Sequence, residues 1–223
     1  MKIVLIQPLS GTPSLKVPPL GLAYITAVLK RNHFEAKVID LNIKNISLST
    51  FLSRERPEII GISSIVTNAR QALEIARKTK SILPQGFVVL GGPYPSMMGE
   101  RLLTRHEEVD INLIGEAEFT FLELVKRLCN GESLDAVEGL IFWEGDKIKS
   151  NPLSKPIYPL DQIPYPAREE LQLHLYGENA GSLLTSRGCP QQCIFCSRPV
   201  FGRKWRSHSP DYVLEEIGHL KQD

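Results

Sequence analysis

Long apolar runs are missing from this sequence. The longest, such as Ile3–Ile6 and Phe87–Leu90, fall far short of the roughly 20 residues a membrane-crossing helix needs, so no membrane partner is expected. Charge of one sign is also missing. Lys and Arg number 26 against 25 Asp and Glu, with no block of either, so composition gives no reason to expect a nucleic-acid partner. Cysteine is scarce, four residues in 223, yet three of them fall between 189 and 196. A secreted disulfide framework would spread them out, so they read as a metal or cluster site in a reducing cytoplasm. A leader is not apparent: Met1-Lys2-Ile3-Val4-Leu5 has one basic residue, and its apolar run stops at Gln7-Pro8, as a first strand would. There is no internal repeat and no low-complexity tract.

Short apolar runs instead alternate with amphipathic stretches. Strands are expected at Lys2–Ile6, Glu35–Ile39, Glu58–Ser63, Phe87–Leu90 and Val109–Ile114. Helices are expected where apolar residues recur at helical spacing: Gly21–Leu29, a stripe of Ala69, Ala72, Leu73, Ala76 and Leu83, and Phe119–Cys129 with Leu122, Val125 and Cys129 inward. Continuously apolar strands alternating with helices predict a parallel sheet covered on both faces. Five strands suit the flavodoxin-like, Rossmann-like order 2-1-3-4-5, which binds ligands at the carboxyl ends of its strands. Those ends carry Gln7-Pro8, Asp40, Ser63-Ser64, Gly91-Gly92-Pro93 and Gly115-Glu116.

A hairpin is expected next, Leu140–Trp143 turning at Glu144-Gly145-Asp146, within a connecting region at 136–180. Pro152, Pro156, Pro159, Pro164 and Pro166 favour extended backbone and a domain boundary there. Ser182–Ser186 reads as a new strand, and Ser209-Pro210-Asp211 opens a helix with an N-cap, a first-turn proline and an acid at the positive dipole end.

Cys189, Cys193 and Cys196 have the spacing C-x3-C-x2-C. Thiolates bind soft metals and iron–sulfur clusters, and three thiolates leave one iron of a four-iron cluster open. The competing structural zinc site, with His208 as fourth ligand, lacks the paired C-x2-C knuckles zinc sites favour. Cys129 reads as a small buried apolar residue. Glu116 and Glu118 read as structural carboxylates opening a helix. Arg203, Trp205, Arg206 and His208 read as a solvated basic turn.

The string Thr185-Ser186-Arg187-Gly188-Cys189-Pro190 through Phe195-Cys196-Ser197 resembles the cluster motif of the radical S-adenosylmethionine (SAM) superfamily. The resemblance implies a [4Fe–4S] cluster on the three cysteines. Its open iron would chelate S-adenosyl-L-methionine, which is cleaved to a 5′-deoxyadenosyl radical. Phe195 matches the position that packs near adenine, although plain packing of its ring is an equal alternative. The first half resembles the cobalamin-binding domain that precedes the radical domain in one branch. The matching stretches are Val17–Tyr24, Gly61–Ser64, Val89–Ser96, Gly115–Glu118 and Ile163–Arg168. The implied domains are a cobalamin-binding α/β domain at 1–135 and the start of a radical SAM (βα) partial barrel at 181–223, truncated.

Gly21, Ser63, Ser64, Gly91, Gly92, Pro93, Gly115 and Glu116 are the implied cobalamin contacts. Taken without the resemblance, Gly91-Gly92 is a tight turn and the serines cap a helix. Many cobalamin domains place D-x-H-x-x-G after the first strand. Gln7–Ser14 has no histidine, and His33 is expected at a helix end facing solvent, so bound cobalamin would be base-off without histidine on cobalt. Ser10–Ser14 faintly imitates a flavodoxin phosphate loop, and G-x-G-x-x-G is absent. The three further cysteines of a methylthiotransferase are also absent. The implied activity is a cobalamin-dependent radical SAM enzyme, a C-methyltransferase by preference, with cyclisation or rearrangement as alternatives. It implies a small-molecule substrate and an electron donor such as flavodoxin or ferredoxin. The contrasting class is a non-catalytic cobalamin carrier or sensor with an incomplete radical domain.

Overall fold

The computed structural model of the protein describes residues 1–10, 16–43, 46–197 and 200–221. The hydroxyl-bearing stretch Gly11–Ser14, weighed above as a phosphate loop, lies outside them. Five strands form the parallel part of the sheet: β1 (Ile3–Gln7), β2 (Ala36–Asp40), β3 (Ile59–Ser63), β4 (Phe87–Gly91) and β5 (Ile111–Leu113). Their order is β2-β1-β3-β4-β5, as the alternating pattern predicts.

Each crossover carries a helix or helix pair. These are α1 (Leu20–Arg31), α2 (Leu48–Glu55), α3 (Ala69–Ile82), α4 (Pro93–Met98) with α5 (Arg101–Arg105), and α6 (Glu118–Asn130). Helices α1 and α6 cover one face, where Leu22, Ile25, Val28, Phe121 and Val125 pack on Ile3, Leu5, Val89 and Leu113. Leu52, Leu73, Ala76, Leu102 and Leu103 from α2, α3 and α5 cover the other, packing on Val4, Ile6, Ile60 and Leu90. Alternate residues of each strand therefore enter opposite cores, which is why these strands read as continuous apolar runs.

The sheet does not stop at five strands. The hairpin β6 (Leu140–Glu144) and β7 (Lys147–Ser150) adds two antiparallel strands beyond β5. Leu140, Ile141 and Phe142 pair with Leu113, Asn112 and Ile111, burying apolar side chains that a free-standing hairpin would expose. The proline-rich segment then returns over α1, where Ile157, Leu160 and Ile163 enclose Tyr24 in a third, small core.

Two expectations change. Cys129 is exposed and not inward, because the buried stripe of α6 runs through Phe121, Leu122, Leu124 and Val125 and leaves its last turn at the rim. The strand expected at 182–186 contracts to β8 (Ser186–Arg187), which pairs antiparallel with β9 (Arg206–Ser207). Helix α7 (Pro210–Leu220) follows as expected, with Ser209 Oγ accepting the Tyr212 N–H at 3.2 Å. No helix among the described residues is long and apolar enough to cross a membrane.

Candidate functional site

A cavity of about 540 Å³ lies at the carboxyl ends of the parallel strands. Its floor is Leu5, Gly61, Val89, Gly91 and Leu113; its sides are Gly21, Leu22 and Ile25 of α1 and Phe121 of α6. The segment Ser186–Cys189, with Phe201 and Gly202, closes it from the opposite side. The lining is mainly apolar, and the volume falls within the usual range for a ligand site, about 300–1,000 Å³.

The glycines here have different physical reasons. A Cβ on Gly61 would stand 2.7 Å from Leu5 Cδ2 and 3.2 Å from the Phe121 ring, so this position is fixed by packing. Gly92 has φ +104°, and a Cβ there would lie 2.8 Å from the Ser64 carbonyl oxygen; it makes a tight turn after β4. Gly91 is different. A Cβ there would meet nothing nearer than Leu113 Cβ at 3.8 Å, so its missing side chain leaves cavity space.

Of the expected contacts, Gly21, Ser63, Gly91, Gly92, Pro93, Gly115 and Glu116 all line the cavity. Ser64 does not. It is fully buried, its N–H donates to the Gly91 carbonyl at 2.8 Å, and its own carbonyl accepts from Tyr94 at 3.1 Å. Its role is to join the ends of β3 and β4.

Cys189 is on the cavity wall, and its N–H donates to the Gly202 carbonyl at 3.3 Å. Cys193 and Cys196 are exposed beside it on the same loop, with the Cys196 N–H on the Cys193 carbonyl at 3.1 Å. Among the described residues no three His, Cys, Asp or Glu side chains are gathered closely enough to hold a metal. The donor chemistry fits an iron–sulfur cluster: three accessible thiols on one short loop. Phe195, expected near adenine, is 89% exposed and lies outside the cavity. The open Gly91 position and the apolar walls at the strand ends have the chemistry to receive part of a cobalamin.

Beneath the cysteine loop is a buried ion network. Glu118 Oε1 accepts from Arg187 Nη2 at 2.5 Å, and Glu116 accepts from Arg187 at 3.5 Å. Glu116 also receives both terminal nitrogens of Arg206 and the Ile157 N–H, the latter at 3.1 Å. Arg206 in turn donates to the Ile157 carbonyl at 2.6 Å. Arg187 stacks over Tyr24 and Phe201, 5.5 and 5.2 Å from the ring centres. Burial pushes the Tyr24 hydroxyl up to about 12.

This network corrects the expectation of a solvated basic turn. Arg203 and Trp205 are exposed, but Arg206 and His208 are buried. His208 is not near the cysteines as a metal ligand would be; its Nδ1 is 3.0 Å from Asp161 Oδ1, and its ring stacks on Tyr212 at 3.9 Å. The structural reading of Glu116 and Glu118 holds, but the partners are arginines. Arg187 had no assigned role in the sequence, although it stands two residues before Cys189.

The B12 binding domain family model matches residues 6–125. The chain belongs to the B12 binding domain family. Among curated relatives of this B12-binding chain, an uncharacterized methyltransferase of Pyrococcus horikoshii is 34% identical, the match covering 99% of this chain and 50% of that one. Cytidylyl-2-hydroxyethylphosphonate methyltransferase of Streptomyces wedmorensis is 26% identical, covering 92% and 48%. The chain spans about half the length of these relatives. Among solved structures, the cobalamin-dependent SAM radical enzyme OxsB, with aqua-cobalamin and SAM bound, superposes with TM-score 0.85 at 22% identity, covering 99% of this chain and 31% of that one. The radical SAM methyltransferase TsrM of Kitasatospora setae, with cobalamin and a [4Fe–4S] cluster bound, gives 0.77 at 20%, covering 99% and 46%. At these identities the two structures show that the B12-binding chain shares their fold.

Proposed function

We propose that this chain forms the cobalamin-binding domain and the cluster-binding start of a cobalamin-dependent radical SAM enzyme, a C-methyltransferase acting on a small-molecule substrate. The observation that carries this reading is the position of Cys189, on the wall of the same cavity that the sheet's glycine-bearing strand ends open onto. Domains at 1–135 and 181–223, joined by 136–180, are part of the proposal, with β6 and β7 of the joining region extending the first sheet.

Cys189, Cys193 and Cys196 would hold the cluster. Gly21, Ser63, Gly91, Gly92, Pro93, Gly115 and Glu116 would surround the cobalamin. When bound, these groups supply the electron that cleaves SAM and the methyl group that is transferred. The chain's own residues do the rest. Gly91 leaves room at the strand end, while Leu22, Ile25 and Phe121 exclude water from the cavity. Gln7–Ser14 contains no histidine, so that loop would offer a bound cobalamin no imidazole. A reductant such as flavodoxin or ferredoxin belongs to the same proposal, as does a cytoplasmic location.

The test is anaerobic reconstitution with iron, sulfide and hydroxocobalamin, then desalting, one ultraviolet–visible spectrum and metal analysis. About four irons per chain, lost in Cys193→Ala, with about one cobalt, is the expected result. Cobalt without iron would favour a carrier or sensor module. Zinc or no metal on the cysteines would overturn the radical reading.

A further inference from the structure

The cysteine loop stands on a very small foot. Strands β8 and β9 contribute two residues each, and their pairing sets Arg187 directly opposite Arg206. Side chains opposite each other on an antiparallel pair project to the same side, and like charges so placed repel. A ribbon this short has little ladder of its own to resist that. Glu116 answers it: its carboxylate accepts from both guanidinium groups, and all three side chains are at most 3% exposed. Glu116 is also in the cavity wall and receives the Ile157 N–H from the linker. At the top of the foot Gly188 has φ +82°, and a Cβ there would collide with the Lys204 carbonyl, so the loop closes immediately above the two arginines.

We propose that Glu116, by bridging Arg187 and Arg206, is the positioning residue that holds the cysteine loop over the cavity and keeps Cys189 on the wall facing its ligand. The inference rests on the cobalamin reading above. Without the bridge, Arg187 keeps Glu118 but Arg206 is left a buried cation without its carboxylate, and the tie between the two strands of the foot and the strand ends is lost.

The experiment measures how far cob(II)alamin, added anaerobically to the full chain, slows alkylation of Cys189 by iodoacetamide, read by peptide mass spectrometry. Arg206→Lys keeps the charge but loses the planar fork that reaches Glu116, Ile157 and Phe201 together. Glu116→Asp is the second variant, with a carboxylate too short to reach both arginines. Arg168→Lys is the comparison: it weakens the buried pair with Glu216, which does not touch the loop.

In the unaltered chain, bound cob(II)alamin should slow Cys189 alkylation by about tenfold, because reactivity follows access to the thiolate. In Arg206→Lys that protection should fall to about twofold or less while cobalt per chain stays unchanged; in Glu116→Asp, whose carboxylate also lines the cavity, the protection is compared per bound cobalt and should fall as far. Arg168→Lys should keep the protection. Undiminished protection in both bridge variants would overturn the positioning role, as would equal loss in Arg168→Lys, which would mark a general loosening. If the unaltered chain takes up no cobalamin, the cobalamin reading itself fails, and that result is distinct from the others.

Discussion

Tyr176 donates its hydroxyl to Asp40 Oδ2 at 2.7 Å, and both residues are buried. This bond ties the segment beyond the proline-rich linker to the carboxyl end of β2, 136 residues earlier in the chain. The other carboxylate oxygen already accepts from the Asn42 backbone and side chain, at 2.8 and 2.7 Å.

Tyr176→Phe should therefore lower stability by about 1.5 to 3 kcal/mol, the range for a bond to a charged group. The burial of the ring is kept, so the loss belongs to the hydroxyl. Urea unfolding followed by circular dichroism measures it. A change below about 0.5 kcal/mol would mean the linker is not held by this bond.

Arg168 and Glu216 meet at 2.6 Å with side chains 4% and 3% exposed, joining the end of the linker to α7. Removing one partner leaves a buried charge unpaired. Glu216→Ala should cost about 3 to 5 kcal/mol, whereas Arg168→Met with Glu216→Leu should cost far less. Denaturant unfolding of the Glu216→Ala chain and of the Arg168→Met, Glu216→Leu chain decides it. Equal losses in the single and double variants would show that the pair's charge is not what matters.

The parallel core was legible because its strands are buried on both faces. Ile59-Ile60-Gly61-Ile62 has no polar alternation, and its short length and β-branched residues suit a strand covered on both faces. Helix α2 was not recognised: only Leu48 and Leu52 are buried on it, too few to set a period, although its N-cap Ser47 was a usable signal. The thiol spacing was legible because it is local. The ion network was not, since Glu116 lies 71 and 90 residues from Arg187 and Arg206, and no periodicity joins them. Local composition made Arg206 look solvated; only the fold shows that it is neutralised by a carboxylate.

Gly91 and Gly92 are adjacent but should respond oppositely. Gly92→Ala forces a Cβ onto a positive φ and against the Ser64 carbonyl, and should destabilise the chain by about 1 to 3 kcal/mol. Gly91→Val points into open space and should leave the unfolding midpoint nearly unchanged while reducing cobalamin uptake. Paired unfolding curves and cobalt analysis check this. A Gly91→Val chain that binds cobalamin normally would remove the strand end from the proposed site.

Acid should weaken the chain in two steps. Burial holds the His208 imidazole below its ordinary value, with Arg187 adding to the effect and Asp161 and Glu216 opposing it. The folded state therefore takes up this proton less readily than the unfolded state. Its contribution is fully present above about pH 6.5 and is lost as the pH falls below that. Burial pushes the Asp161 carboxyl up, but the bonds from Ser209 and His208 outweigh it and hold the group low. Its contribution is present above about pH 4 and is lost as the pH falls further. Urea midpoints measured from pH 7.5 down to about 2.5 should fall first below about pH 6.5 and again below about pH 4. His208→Gln should remove that first fall and leave the second, because Asp161 keeps its bonds to Ser209. A midpoint that rises between pH 7 and pH 5.5 would mean that His208 is stabilised in its charged form, contrary to its burial against Tyr212.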